Sequence, residues 1–138
     1  MEKASLLRKA LRANGFFSLG SALVAILLGN SLRAVNEMVN GQPVAFAVQL
    51  VVFGSIVLYA AYRKKIPKIL VWVIIVLDFL YVLMGFVHLG MQNEFSSVGI
   101  ALIVLTNLAV LIFAILQTLG IRRYMKTQKS STLTDKTL

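Results

Sequence analysis

The chain has 138 residues, a net charge of +9, no cysteine and one histidine, and 59% of it is hydrophobic. Soluble domains carry an apolar share of roughly 45–50%, and a chain this short has too little interior to hide the excess. The lack of cysteine excludes disulfides, thiolate metal sites and thiol redox chemistry, and a single histidine cannot supply two axial ligands to a haem. Glycine-rich phosphate loops, nucleophile elbows and paired histidines are missing too, so the sequence points to a non-enzymatic protein with no cofactor and no metal site.

In chain order, residues 2–12 (EKASLLRKALR) place Leu6, Leu7, Ala10 and Leu11 on one helical face, with Arg8, Lys9 and Arg12 largely on the other. This predicts an extension of the first long helix, lying at the headgroups or continuing straight. Four apolar segments follow at about 13–30, 44–62, 69–90 and 98–120. Each is close to the ~20 residues with which a helix crosses ~30 Å of hydrocarbon, and none alternates as a barrel strand would. The first is too long for the apolar part of a signal peptide, and Leu32 stands where cleavage needs a small residue. Its Gly15, Ser18, Ala22, Ala25 and Gly29 form a small-residue face suited to helix packing within the chain, with a homo-oligomer as the alternative use.

The breaks are GNSLRAVNEMVNGQP (29–43), the basic turn RKKIPK (63–68) and GMQNEFSS (90–97). Pro67 is positioned for the first turn of the third helix. Residues 1–121 therefore read as a four-span bundle, and the polar, basic stretch 122–138 reads as a disordered tail.

Charge gives the orientation. Thirteen of the 14 Lys and Arg lie before the first span, between the second and third, or after the fourth, and only Arg33 lies on the other side. The positive-inside rule puts those thirteen, and both termini, in the cytoplasm of a cell of inner-membrane type. Clusters placed at span ends suit anionic membrane lipids rather than nucleic acid. Tyr62 and Tyr124 fall where interfacial aromatics belong.

The third span, WVIIVLDFLYVLMGFVHLG, holds Asp78 amid its apolar residues. An aspartate at a helix centre costs roughly 2.5–3.5 kcal/mol on insertion scales, and the surrounding Val, Ile, Leu and Phe at about −0.3 to −0.6 kcal/mol each outweigh it. The span inserts, but its carboxyl must turn away from lipid. Asp78, Tyr81, Gly85 and His88 form one stripe at helical spacing, which should face the bundle interior. By span counting, Asp78 lies near the midplane and His88 near the outer surface, where Glu94 is the nearby candidate for a second ligand. Asn14 and Ser18 on the first span, Gln49 and Tyr59 on the second and Asn107 on the fourth are the other expected members of a ligand or proton site. Asn107 or a hydroxyl of the first helix is the expected main contact of Asp78, with Gln117 counted near the cytoplasmic end.

Sliding the second half of the chain onto the first by 64 residues aligns Asn14 with Asp78, Phe17 with Tyr81 and Ser21 with Gly85, but the match fades in the second and fourth spans. Small multidrug exporters carry a glutamate in their first helix, which this chain lacks, and dual-topology fluoride channels lack its charge bias. The stretches RANGFFSLGSALVAILLG and LDFLYVLMG, with the basic turn between them, resemble uncharacterised small four-helix bacterial inner-membrane proteins. That resemblance implies a fold and no activity.

The expected fold is thus all-α, an antiparallel four-helix transmembrane bundle. The expected function is binding of a lipid-like or small amphiphilic ligand at a polar-lined site around Asp78, or service as an accessory subunit of a larger membrane complex. The alternative is an oligomeric proton-coupled transporter or channel with Asp78 as titrating group.

Overall fold

Residues 5–91 and 94–137 are described by a computed structural model, with side chains to residue 129. They form five helices: α1 (Ser5–Leu28), α2 (Arg33–Met38), α3 (Pro43–Tyr62), α4 (Lys68–Met91) and α5 (Ser97–Thr137). No strand occurs among the described residues. α1, α3, α4 and the described part of α5 are long and apolar enough to cross a membrane.

Each helix start has a local cause. Pro43 opens α3, where its missing N–H removes nothing. The carbonyl of Pro67 accepts the Val71 amide at 3.0 Å and so begins the α4 ladder. Ser96 caps α5, its Oγ accepting the Gly99 amide at 3.1 Å. Asn40 and Gly41 take positive φ values of 56° and 70°, the left-handed turn that reverses the chain between α2 and α3.

Two features depart from the sequence reading, and a third takes up one of its alternatives. The 29–43 break contains α2, because six residues are too few to show a helical period. From Ser5 the N-terminal extension continues α1 straight, one of the two courses expected for it, and Leu7 and Leu11 are fully enclosed. Arg8 ties it down, donating to the carbonyls of Ala61 at 2.8 Å, Arg63 at 2.6 Å and Lys64 at 2.7 Å, where α3 ends and its dipole is negative. Finally, α5 does not stop near 121. Its backbone stays helical to Thr137, where a disordered tail was expected. The stretch after Gly120 holds neither Gly nor Pro, and Arg, Met, Lys and Gln are good helix formers.

α1 packs on α3 and on α5, α4 packs on α5, and α3 and α4 barely touch. Glycines set the closest approaches. A Cβ on Gly54 would stand 3.1 Å from the carbonyl oxygen of Gly15, and one on Gly120 would stand 2.8 Å from the Cα of Leu7. The small-residue face of α1 is spent inside the chain, with Ser18, Ala22 and Ala25 buried.

Two apolar clusters result. At the basic end, Leu7, Leu11, Val57, Val71, Ile74 and Ile121 pack with Ile66 of the turn. At the other, Ala22 and Ala25 pack with Val39 and Ala47. Burial also repeats. Val71, Ile74, Ile75, Asp78 and Val82 of α4 each stand 64 residues after a buried residue of α1, the same separation as between Asn14 and Asp78. Pro43, Ala47, Gly54, Val57, Ala60 and Ala61 of α3 correspond in the same way to Ile103, Asn107, Ala114, Gln117, Gly120 and Ile121 of α5, but with a separation of 60. The connection between helices is four residues shorter in the second half, so a single offset loses the match there.

Candidate functional site

Asp78 lies on the inward stripe of α4 and is only 2% exposed. Asn14 Nδ2 and Gln117 Nε2 both donate to its Oδ2, at 2.8 and 2.7 Å. Asn14 Nδ2 also donates to Gln117 Oε1 at 2.8 Å, closing a triad across α1, α4 and α5. Both amide protons of Asn14 are thereby used. Asp78 Oδ1 accepts no hydrogen bond from the described residues.

This corrects the expected contacts of Asp78. Neither Asn107 nor a hydroxyl of the first helix is its partner. Gln117 was counted near the end of its span, but α5 runs past that end, so the end does not fix its register. The packing of Gly120 against Leu7 brings Gln117 level with Asp78.

The triad closes one end of a cavity of about 250 Å³. Phe17, Ser18 and Ser21 of α1 line it, as do Phe46, Gln49, Leu50 and Phe53 of α3. Leu77 and Tyr81 of α4 and Thr106 and Val110 of α5 complete the walls. The exposure of Gln49 and Leu77 places the opening on the side where α3 and α4 part. The apolar cluster at the basic end lies below the triad, so the cavity is blind there.

Of the expected site residues, Asp78, Asn14, Ser18, Gln49 and Tyr81 are brought together. Tyr59 is not. The inward face of α3 is taken by Gly54, Val57, Ala60 and Ala61, which leaves Tyr59 55% exposed beneath the Arg63 guanidinium, 5.3 Å from its ring centroid. Asn107 is buried against Gly85, and its Nδ2 has no hydrogen-bond partner. His88 stands apart from the cavity. Its ring meets Phe95 edge-on at 5.0 Å, and Nε2 is 3.5 Å from the Glu37 carbonyl oxygen, so Glu94 is not its partner. Among the described residues no group of three His, Cys, Asp or Glu could hold a metal.

Sequence reasoning missed the aromatic walls. Phe17, Phe46 and Phe53 look like any lipid-facing phenylalanine until helix rotation is known. It also missed a second carboxylate site, between α2 and the start of α5. Glu37 accepts from Arg33 Nε at 2.8 Å, from the Ser96 amide at 3.1 Å and from Ser96 Oγ at 2.8 Å, fastening α2 to the start of α5. Burial alone would raise the Glu37 carboxyl, but the Ser96 hydroxyl, the Ser96 amide and Arg33 outweigh it and hold the group below its ordinary value.

These helices describe a multi-pass membrane protein with an internal cavity. No protein-family model matches the chain, and neither a curated protein nor a solved structure is significantly similar to it.

Proposed function

We propose that the chain is a non-enzymatic membrane protein whose bundle binds a lipid-like or small amphiphilic ligand. In this reading the four long helices form an antiparallel bundle in a cell (inner) membrane, with both termini cytoplasmic. Two things support the orientation. Thirteen of the 14 Lys and Arg fall on one side, and Arg8 binds the carbonyls of the basic turn, which places the N-terminal end beside it.

The observation that carries the ligand reading is a cavity with phenyl and aliphatic walls that ends at an unshared oxygen of Asp78. An amphiphile fits such a site, apolar body against the walls and polar head at the carboxyl. Native mass spectrometry of the chain extracted in mild detergent tests it. A bound small molecule is expected on the native chain and is expected to be lost when Ser21→Phe fills the cavity. Equal occupancy of the two would overturn the reading.

The second reading is an oligomeric proton-coupled transporter with Asp78 as titrating group. It is favoured by Asp78 being the one acid within the spans and open to the cavity. The apolar cluster below the triad weighs against a path through a single chain. Liposome flux that Asp78→Asn abolishes, in a folded protein, would select this reading over binding alone.

A further inference from the structure

We propose that the ligand taken by this cavity is a small organic cation, an ammonium group carried on an aromatic or compact alkyl body. The inference rests on the binding reading above and adds the charge of the occupant.

Asn14 has spent both amide protons inside the triad, and Gln117 is not part of the cavity wall. The triad therefore turns acceptors towards the cavity, Asp78 Oδ1 above all, and no amide donor. Oδ2 takes both amide hydrogen bonds, and Oδ1 takes none from the described residues. No lysine, arginine or histidine is among the described residues that line the cavity, so the protein supplies no positive charge to an ionised Asp78. A buried carboxylate without a counter-charge is costly in low dielectric, and a ligand that brings the missing positive charge recovers that cost.

The walls select the kind of cation. Phe17, Phe46, Phe53 and Tyr81 surround the space beyond the carboxyl. Aromatic faces attract ammonium groups and tolerate their alkyl substituents. A hard metal ion needs six or more oxygen ligands or a closed octahedron, which walls made largely of phenyl and aliphatic groups do not provide. Size sets the upper limit. Drug-sized ligands occupy roughly 300–1,000 Å³, and this cavity measures about 250 Å³. The opening between α3 and α4 gives a route from the lipid phase, where amphiphilic cations concentrate.

The test uses phenyltrimethylammonium and its uncharged isostere tert-butylbenzene. Each is titrated against the full chain in nanodiscs, with empty nanodiscs subtracted. The cation is expected to bind at least about tenfold more tightly than the isostere, since a single desolvated ion pair readily supplies that ratio. Asp78→Asn is expected to bring the two affinities together by weakening the cation alone. Retained tert-butylbenzene binding shows that this variant is folded. If it does not fold, Phe53→Leu leaves the triad intact and is expected to weaken the cation about threefold more than the isostere. Equal affinities in the native chain overturn the charge inference and leave the binding reading standing. A cation preference that survives both substitutions overturns the assigned site. If neither probe binds, both readings are overturned.

Discussion

The two partly or fully enclosed carboxylates, Asp78 and Glu37, sit at opposite ends of the same interior and are treated differently. Glu37 is saturated. Its two oxygens share the Ser96 amide, the Ser96 hydroxyl and Arg33, and its carboxylate is seated against Gly99. It clips α2 to the start of a long helix, where the dipole favours an anion. Asp78 is half-satisfied: two amides crowd one oxygen, and the other is left towards a cavity. A carboxylate that only joins helices gains by filling its acceptor sites from the protein. One left open at a cavity has capacity for something else.

Substitutions at the two carboxylate sites and their neighbours test this contrast. The largest effect is expected from Asn14→Leu, which deletes two buried interhelical bonds and strips a donor from Asp78. Such bonds are worth about 0.6 to 1.7 kcal/mol each in membrane bundles, so a loss of about 1–3 kcal/mol in reversible unfolding is expected. A loss near zero would mean that the triad does not hold the helices. Ser96→Ala removes both the α5 cap and the hydroxyl contact to Glu37, and about 1 kcal/mol should be lost.

Asn107→Leu should move the other way. Its Nδ2 is buried without a partner, and replacing it with an apolar side chain of similar size should raise stability by about 1 kcal/mol. A fall instead would show that Asn107 has a partner in the membrane-embedded protein.

The smallest effect concerns pH. The folded Glu37 group titrates below its ordinary value of 4.5. Its contribution is therefore complete above that value and is lost as pH falls through the depressed folded value. The melting temperature should drop on acidification from about pH 5 to 3, and Glu37→Gln should flatten that part of the profile.

The membrane class, the number of long helices and the inward turn of the Asp78 stripe were legible in the residues alone. These follow from local quantities: apolar run length, the cost of a charge in hydrocarbon and the 3.6-residue period. The offset of 64 residues also aligned Asn14 with Asp78, without revealing that the two side chains touch. Which polar groups meet was settled by packing between helices. Gln117 rather than Asn107 reaches Asp78 because Gly120 lets α5 close on Leu7. Tyr59 leaves the site because small residues claim the inner face of α3. In a lipid-facing chain nearly every position is apolar, so hydropathy carries little information on helix rotation or register. Close packing at glycines supplies it.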